Sequence, residues 1–243
     1  MGLKLIYEGK SKLVYDVGGD ELILEFKDDV TAMDGLYKSS VVGKGVLNAR
    51  VSAYLFELVE RAGVRTHYLS YDGGRRLLVR KLSMIPLEVI VRNYAYGSLL
   101  KRMPLYKQLQ KLEPPIIEFH YKDDSLHDPL IIAEDALAVG LLTKEELNHI
   151  IKTTLKINEV LSNVFKERGL KLVDMKVEFG RAKDGELLLA DEITGDSFRV
   201  LDGNGDHLDK EVFRKTKDVN LMIKAYVKLC KALGLDVSDV VSG

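Results

Sequence analysis

The chain has 243 residues, which is enough to bury a sizeable core and to form one large domain or two small ones. Lysine and arginine number 36 against 37 aspartate and glutamate residues, so the formal net charge is −1 and the overall basic field of a nucleic-acid-binding protein is absent. A single cysteine, Cys230, excludes an internal disulfide and a multi-cysteine metal site, and it favours a reducing cytoplasmic environment.

The first ten residues, MGLKLIYEGK, lack the apolar core that a secretory signal needs. No uninterrupted apolar run approaches the about 18 residues that a membrane span requires. We therefore expect a protein that is neither secreted nor inserted in a membrane.

Strands dominate the predicted structure of the first 83 residues. The runs LKLIYEGK, KLVYDV and ELILEFK are rich in β-branched and aromatic residues, and turn signals such as Gly18 and Gly19 separate them, which predicts an antiparallel sheet. One helix is predicted at residues 44–62, where apolar residues recur at helical spacing and Gly63 follows. We expect this helix to pack on the sheet.

A boundary between two lobes is predicted near Pro86. The strand RRLLVRKLS precedes this proline, and the next apolar run, LEVIVRNYA, also predicts a strand. The chain then divides into residues 1–83, a mainly antiparallel β lobe, and residues 84–243, an α+β lobe. The stretch from 109 to 128, which contains two consecutive prolines, is predicted to be irregular.

Two long helices are predicted in the second lobe. Thr143 and Glu146 form a capping-box pattern ahead of an apolar stripe that ends at Gly169. The last helix is predicted to end at Gly234, with Leu221 among the residues that face inward.

The segment LKLVDMKVEFGRAKDGELLLADE, residues 170–192, is typical of a strand, a turn and a strand. Side chains alternate along a strand, so Asp174, Lys176 and Glu178 should share one face. The apolar residues between them, Val173 included, should face the core. One face of this strand is therefore predicted to be fully charged.

The turn of this hairpin suggests a metal site. Asp184 and Gly185 are a favoured pair for a two-residue turn, and that register places Glu178 opposite Asp191. Two carboxylates directly opposite each other destabilise a sheet unless positive charge lies between them, and a hard divalent cation meets that need. We therefore predict a Mg²⁺ site at this pair. The alternative is a solvated charged face on which Lys176 and distant arginines neutralise the pair.

Lys10 and Lys12, in the stretch EGKSK, are predicted to face phosphates. Mg²⁺ held by one or two carboxylates usually also binds substrate phosphates, so the metal prediction implies a nucleotide. The two lysines are expected on the same face of a strand, and Gly9 lets the backbone approach closely. The sequence has neither a P-loop nor a dinucleotide-binding glycine motif. The alternative is a hairpin with two solvated lysines.

Six motifs, taken in order, resemble the SAICAR synthetase family, the phosphoribosylaminoimidazole-succinocarboxamide synthases of purine biosynthesis. They are YEGKSKLVYDV, DDVTAMDG, VRKLSMIPLEVIVRNYAYGSLLKR, YKDDSLHDPLI, LVDMKVEFG and DEITGDSFRVLD. The resemblance implies an α+β, two-lobed ATP-grasp-like fold with antiparallel sheets and a nucleotide between the lobes. It also implies that 5-aminoimidazole-4-carboxyribonucleotide (CAIR) and L-aspartate are joined at the expense of ATP, which gives SAICAR, ADP and phosphate.

The resemblance assigns roles to the residues that match the family's motifs. The implied ATP-binding residues are Gly9, Lys10, Lys12, Lys81, Leu82, Met84 and Lys122. The implied metal ligands are Glu178 and Asp191. The implied substrate-binding residues are Asp34, Arg92, Ser98, Asp174, Lys176, Asp196 and Arg199. The implied catalytic lysines are Lys10, Lys12, Lys122 and Lys176. Taken singly, Arg92 is also consistent with an ordinary strand arginine, and Ser98 with a helix N-cap.

The last motif departs from the family's pattern. Many members carry Ser-Pro-Asp before the arginine and a tryptophan two residues after it. Here Thr194, Gly195 and Asp196 precede Arg199, and Leu201 takes the place of the tryptophan. The rigidity of this loop and the packing of that indole therefore do not carry over, whereas the phosphate-binding arginine does.

The implied mechanism activates the imidazole carboxylate by phosphorylation, after which the amine of aspartate attacks the acyl phosphate. Mg²⁺ and the lysines would spread the charge of the transferring phosphoryl group.

The alternatives are a small-molecule kinase that forms no amide and a nucleic-acid-binding module built on GSLLKRM, and the near-neutral charge argues against the second. The expected partners are ATP, CAIR and L-aspartate, without nucleic acid or membrane, in a cytoplasmic homodimer.

Overall fold

The computed structural model describes residues 3–32 and 37–241, and Asp34, predicted to bind substrate, lies outside them. The strands are β1 (Lys4–Glu8), β2 (Lys12–Gly18), β3 (Glu21–Phe26), β4 (Asp29–Ala32), β5 (Tyr37–Ser40), β6 (Tyr68–Tyr71), β7 (Arg76–Arg80), β8 (Ser83–Met84), β9 (Leu87–Tyr94), β10 (Lys111–Tyr121), β11 (Leu130–Ile131), β12 (Lys171–Arg181), β13 (Leu187–Ala190) and β14 (Phe198–Leu201). The helices are α1 (Lys44–Arg61), α2 (Ser98–Arg102), α3 (Ala133–Ala138), α4 (Lys144–Glu167), α5 (Glu211–Thr216), α6 (Val219–Ala232) and α7 (Ser238–Val241). None of these helices is long and apolar enough to cross a membrane. Helices packed on antiparallel sheets confirm the predicted α+β class.

The N-terminal part forms the predicted antiparallel sheet, with five strands in the order β1-β2-β3-β7-β6. Helix α1 packs on β3, β6 and β7, and its buried residues include Leu47, Leu55 and Phe56. Gly45, in the first turn of α1, lies against the backbone carbonyl of Phe26, where a Cβ atom would have no room. The close approach of α1 to β3 therefore depends on glycine at this position.

The C-terminal part forms a seven-stranded sheet in which β12 is central. The main path runs β11-β10-β9-β12-β13, and β12 also pairs with β8 and β14. Helix α4 packs on β12 and β9, and it begins with the predicted capping box. In that box Glu146 N donates to Thr143 Oγ1 at 3.2 Å, and Thr143 N donates to Glu146 Oε2 at 2.8 Å. Strand β12 is therefore hydrogen-bonded to neighbouring strands along both of its edges.

The prediction of an irregular stretch at residues 109–128 is wrong for most of its length. Strand β10 contains Pro114 and Pro115 and pairs with β9. The register of this pairing shifts between Lys111 and Ile116, so both prolines lie where the ladder is interrupted. Their missing N–H groups therefore break no regular pairing, and the strand tolerates them.

Two side chains do not lie on their predicted core faces. Leu221 is 45% exposed because it precedes the buried stripe of α6, which begins at Met222. Val173 lies at a register shift between Leu172 and Asp174, and it packs in a small separate cluster instead of the main core. The irregularity in β12 therefore changes the face on which Val173 lies.

The two sheets share one hydrophobic core, which includes Leu24 of β3 and Val177 of β12. A bridge between Thr66 and Leu189 also joins the segment before β6 to β13. An open cleft separates the remaining surfaces of the sheets. The division into lobes at residues 1–83 and 84–243 stays a prediction.

Candidate functional site

The cleft has a volume of about 1360 Å³, and residues of both sheets line it. One part of its wall is apolar and consists of Val14, Leu22, Leu24, Val79, Leu82, Met84 and Ile85. Another part carries lysines and carboxylates. An apolar slot that opens onto a charged end suits a ligand with a flat ring and an anionic tail.

Three lysines and two carboxylates alternate at the charged end. Lys12 Nζ donates to Asp191 Oδ1 at 2.6 Å, and Lys122 Nζ donates to Glu178 Oε2 at 2.5 Å. Lys176 Nζ bridges the two acids, at 2.6 Å from Glu178 Oε1 and 3.1 Å from Asp191 Oδ2. The structure therefore brings these five predicted residues into one cluster, which we call the ion cluster.

The hairpin that carries the two acids has a different turn from the predicted one. Ala182 N donates to Glu186 O at 2.9 Å, so the loop contains three residues. Its third residue, Gly185, has a φ of 84°, a conformation that favours glycine. The longer loop shifts the register of the hairpin by one residue.

The shifted register changes how the two carboxylates meet. Glu178 pairs with Ala190, so the prediction that it lies directly opposite Asp191 is wrong. Asp191 follows the end of β13 with a φ of 60°, a left-handed conformation that aspartate adopts more readily than most residues. Both carboxylates nevertheless contact Lys176, and the predicted proximity is confirmed.

Burial and charge oppose each other in the ion cluster. Glu178 is 1% exposed. Burial would raise the pKa of Asp191, but the positive charges of Lys12, Lys176 and Lys122 hold that pKa well below its usual range. Burial would lower the pKa of Lys176, but Glu178 and Asp191 hold it well above its usual range. Asp191 and Lys176 are therefore both charged at neutral pH.

The donor set of the ion cluster fits Mg²⁺. Glu178 and Asp191 each turn an oxygen toward the same ammonium, that of Lys176, so they face one small volume. Among residues 3–32 and 37–241 no group of three or more histidines, cysteines or acids could hold a metal alone. Two carboxylates with the remaining positions left to phosphates and water are what Mg²⁺ usually takes from a protein.

The turn between β1 and β2 brings Lys10 to the mouth of the cleft. Lys10 and Gly9 both line the cleft. Lys10 precedes β2, so the prediction that Lys10 and Lys12 share one face of a strand is wrong. Gly9 N donates to Lys12 O at 2.8 Å and closes the turn. Lys10 Nζ contacts Asp124 Oδ1 at 2.6 Å, and its side chain is 54% exposed. Its position suits a lysine that moves onto an incoming anion.

The three predicted residues after β7 take two different positions. Leu82 and Met84 lie in the apolar wall of the cleft. Lys81 does not line the cleft, because its Nζ donates to Asp16 Oδ2 at 2.8 Å. The implied ATP-binding role of Lys81 therefore stays a prediction.

Four predicted substrate-binding residues form a second, buried cluster. Arg92 is 2% exposed and makes a bidentate contact with Glu118, at 2.7 Å from Nε and 2.9 Å from Nη2. Asp174 Oδ2 accepts from Arg92 Nη1 at 3.2 Å and from Arg199 Nη1 at 2.8 Å. Ser98 Oγ accepts from Arg92 Nη2 at 2.9 Å. We call these residues the arginine cluster.

Strand pairing explains the arginine cluster. Asp174 of β12 lies directly between Arg92 of β9 and Arg199 of β14, because both are its cross-strand partners. Ser98 is the first residue of α2, and Gly97 holds the N-cap position, so Ser98 is not the cap. Further along the same face of β12, Lys176 belongs to the ion cluster. One strand therefore connects the two clusters.

Asp196 lies apart from the arginine cluster, in a buried polar site. Its Oδ2 accepts from Lys44 Nζ at 2.8 Å and from Asn48 Nδ2 at 2.9 Å. Its Oδ1 accepts from Tyr226 OH at 2.9 Å. Burial would raise the pKa of Asp196, but the charges of Lys44 and Lys210 hold it below its usual range. Asp196 also lines the cleft, with its oxygens occupied by protein donors.

Several cleft residues are missing from the sequence-based prediction. Glu192 follows Asp191 directly, and its position next to a predicted metal ligand is a sequence signal that could have identified it. His67 and Lys210 stand in segments without a recognisable pattern, and only the fold brings them to the cleft. Burial lowers the pKa of His67 to about 4, so this histidine is neutral at pH 7.

Comparisons with known proteins agree with one another. A family model described as SAICAR synthetase matches residues 5–229. A phosphoribosylaminoimidazole-succinocarboxamide synthase from Caldivirga maquilingensis is 52% identical over 232 residues, 96% of each chain. One from Pyrococcus furiosus is 48% identical over 229 residues, which are 94% of this chain and 96% of the relative.

Solved structures show the same likeness. A SAICAR synthetase in complex with ADP superposes with a TM-score of 0.89 at 45% identity, over 93% of this chain and 96% of that one. The SAICAR synthetase of Pyrococcus horikoshii OT3 superposes with a TM-score of 0.87 at 44% identity, over 92% and 97% of the two chains. The chain described above is therefore a member of the SAICAR synthetase family.

Proposed function

We propose that this protein is an ATP-dependent ligase of purine biosynthesis that joins CAIR to L-aspartate and releases SAICAR, ADP and phosphate. The observation that carries the proposal is the ion cluster, in which Lys12, Lys122 and Lys176 meet Glu178 and Asp191 in a cleft with an apolar slot. A relative that is 45% identical is an ADP complex, which supports a nucleotide in this cleft. The proposed setting is a cytoplasmic homodimer.

The two kinds of wall support an orientation for ATP in the cleft. The adenine ring would lie against Leu82 and Met84, next to backbone groups of the segment after β7. The triphosphate would extend toward Lys10, Lys12 and Lys122, because phosphate oxygens need positive charge where water is displaced. All of these residues line one continuous cleft.

Mg²⁺ would be held by Glu178 and Asp191, and it would neutralise phosphate charge and orient the oxygens of ATP. Lys12 and Lys122, which now contact these acids, would then contact phosphate. Lys176 lies between both acids and on the face of β12 that also carries Asp174. This position supports a role for Lys176 in binding the carboxylate that receives the phosphoryl group.

CAIR is assigned to the arginine cluster and the adjacent part of β12. The cluster and its neighbours contain four guanidinium groups, those of Arg92, Arg102, Arg199 and Arg214. Among the residues that the structure describes, these guanidinium groups contact three carboxylates, those of Glu118, Asp174 and Glu211. The net positive charge and the hydroxyl of Ser98 suit the 5′-phosphate of the ribonucleotide, and the imidazole carboxylate would then point along β12 toward Lys176.

The chemistry follows from the poor reactivity of a carboxylate. A carboxylate oxygen of CAIR attacks the γ-phosphorus of ATP, ADP leaves, and the product is an acyl phosphate. The amine of aspartate then attacks the acyl carbon, the C–O bond to phosphate breaks, and the amide and inorganic phosphate result. Lys10, Lys12 and Lys122 stabilise the charge that the transferring group carries, and no covalent protein nucleophile is needed.

An omission assay tests this function. The purified protein is incubated with ATP, Mg²⁺, CAIR and L-aspartate, and each component is left out in turn while ADP, phosphate and the product mass are measured. We expect SAICAR only in the complete mixture and phosphate release that depends on aspartate. ADP formation that proceeds fully without aspartate, with no amide product, would instead indicate a kinase.

A further inference from the structure

Asp209 is a fully buried carboxylate that does not line the cleft. Its Oδ2 accepts from the backbone N–H of Val200 at 2.8 Å, and its Oδ1 accepts from that of Glu211 at 2.7 Å. Val200 directly follows Arg199, and the side chain of Glu211 accepts from Arg199 Nε at 3.1 Å. Asp209 therefore fixes both the backbone next to Arg199 and the residue that binds one edge of its guanidinium group.

A third contact of Asp209 leads to Tyr96 through a histidine. Asp209 Oδ2 lies 3.0 Å from His207 Nδ1, and His207 Nε2 lies 2.9 Å from Tyr96 OH. A carboxylate accepts hydrogen bonds, so a neutral His207 ring carries its hydrogen on Nδ1, and Nε2 then accepts from the Tyr96 hydroxyl. The two rings also meet edge to face, with their centroids 5.3 Å apart. We call Tyr96, His207 and Asp209 the relay.

The ring of Tyr96 packs on the guanidinium group of Arg199. Arg199 Cζ lies 5.2 Å from the ring centroid, a distance at which an aromatic ring attracts a cation. A Cβ atom at Gly97 would lie 3.0 Å from Arg199 Nη2, so the backbone there also approaches this group closely. Leu201, at which the last motif departs from the family's pattern, packs with Tyr96 in one small cluster. Tyr96 and Gly97 therefore form a wall against which Arg199 lies.

The contacts of Arg199 leave one of its nitrogens for a ligand. Nη1 donates to Asp174 and Nε to Glu211, whereas Nη2 forms no hydrogen bond with any residue in the described ranges 3–32 and 37–241. In the proposed function this nitrogen is available to the 5′-phosphate of CAIR. Because the guanidinium group is held before the ligand arrives, little side-chain freedom is lost when the phosphate binds.

We infer that Tyr96, His207 and Asp209 are positioning residues, which hold the guanidinium group of Arg199 in the orientation that binds the 5′-phosphate of CAIR. This inference rests on the proposed function. The relay acts through Arg199 and touches no substrate, so its loss should weaken the binding of CAIR and leave the chemical step unchanged.

Steady-state kinetics of Tyr96→Leu test the inference, because leucine keeps an apolar side chain and removes the ring and the hydroxyl. We expect the KM for CAIR to rise about tenfold, since Arg199 must then be ordered as CAIR binds. The kcat and the KM values for ATP and L-aspartate should stay within about twofold. Tyr96→Phe keeps the ring and should recover most of the loss.

Tyr94→Leu is the matched control. Tyr94 packs against the same small cluster as Tyr96, but its ring contacts the ammonium of Lys171 instead of Arg199. This variant should leave the KM for CAIR unchanged. An equal rise in Tyr94→Leu and Tyr96→Leu would show that the cluster needs bulk alone, which contradicts the inference.

His207→Leu tests the hydrogen bonds of the relay. We expect it to raise the KM for CAIR about threefold, as Tyr96→Phe does, because each variant removes the hydrogen bond that holds the ring. The double variant Tyr96→Phe/His207→Leu should be no worse than either single variant, since both replacements remove the same contact. Additive effects would show that the two residues act separately.

A double-mutant cycle with Arg199→Ala separates positioning from a general structural role. If Tyr96 acts through Arg199, Tyr96→Leu should not raise the KM for CAIR further once the guanidinium group is absent. The same rise in both backgrounds would overturn the inference, and so would an unchanged KM in Tyr96→Leu alone.

The outcomes distinguish this inference from the proposed function. If the wild-type protein forms SAICAR and the cycle shows no coupling between Tyr96 and Arg199, the inference is wrong and the function stands. If the wild-type protein forms no SAICAR, the proposed function fails and the inference fails with it. Circular dichroism shows whether Tyr96→Leu folds. If it does not, His207→Leu takes its place in the cycle, and an absence of coupling there overturns the inference equally.

Discussion

Lys12 Nζ lies 2.6 Å from Asp191 Oδ1, although 179 positions separate the two residues in the chain. The contact joins β2 of the N-terminal sheet to the end of β13 in the C-terminal sheet. Both residues are largely buried, so each neutralises the other where water is scarce. A lysine assigned to phosphate and a carboxylate assigned to Mg²⁺ thus hold each other in place before either ligand binds.

Removal of one carboxylate charge from the ion cluster should abolish most activity. We expect Glu178→Gln and Asp191→Asn to lower kcat about 10²- to 10³-fold, because each leaves the metal with one anionic ligand fewer. Both replacements keep the shape of the side chain, so the far-ultraviolet circular dichroism spectrum should not change. Full turnover of either variant at millimolar Mg²⁺ would contradict the metal assignment.

Lys10 should affect ATP without affecting the fold. Its side chain is 54% exposed, so Lys10→Ala should leave the melting temperature unchanged. We expect it to raise the KM for ATP or to lower kcat about tenfold, through the loss of one charged phosphate contact. Lys81→Ala is the control, because that side chain contacts Asp16 and does not line the cleft. Equal ATP kinetics for both variants and the wild type would show that Lys10 binds no phosphate.

Arg92 should matter for stability as well as for substrate. Arg92→Ala leaves the buried carboxylates of Glu118 and Asp174 with fewer partners, and we expect about 3–5 kcal/mol less free energy of unfolding in urea. Arg199→Ala removes a more exposed guanidinium, so its main effect should be a higher KM for CAIR. A fully stable Arg92→Ala protein would mean that the buried acids have other partners.

His67 should make stability depend on pH. Its pKa is near 6.5 in the unfolded chain and falls to about 4 on folding, because burial disfavours the charged ring. The unfolded state therefore binds the extra proton between these values, and stability falls as the pH decreases from 6.5 to 4.

The variant His67→Gln isolates this effect. We expect the free energy of unfolding of the wild type to decrease by up to about 3 kcal/mol more than that of the variant over this pH range. Urea denaturation at intervals between pH 7 and pH 4 measures the difference. Parallel pH profiles for the two proteins would show that folding does not lower the pKa of His67.

The predicted elements with strong local signals are confirmed. The capping box of Thr143 and Glu146 begins α4, and the glycine after the apolar stripe ends α1 near residue 63, because capping and periodicity are properties of neighbouring residues. The same reasoning fails for β10, where proline is tolerated only because a neighbouring strand shifts its register. A register shift between two paired strands cannot be inferred from the sequence of one of them.

The candidate site shows the same limit. Glu178 and Asp191 are close, as predicted, but the predicted turn is one residue too short, because the loop also contains Lys183. The family motifs point to most of the other residues that the structure brings together. Lys210 follows no motif, and only the packing of its segment against the cleft places it there. Asp34 stays a prediction, outside the described residues.

The central claim is that ATP phosphorylates the imidazole carboxylate of CAIR in the cleft that holds the ion cluster. The most direct measurement uses CAIR labelled with ¹⁸O in both carboxylate oxygens and determines the mass of the phosphate released with L-aspartate and ATP. An acyl phosphate predicts that each phosphate carries one ¹⁸O atom and that the amide of SAICAR keeps the other. Phosphate without ¹⁸O would contradict the claim, because the bridging oxygen must then have come from water or ATP.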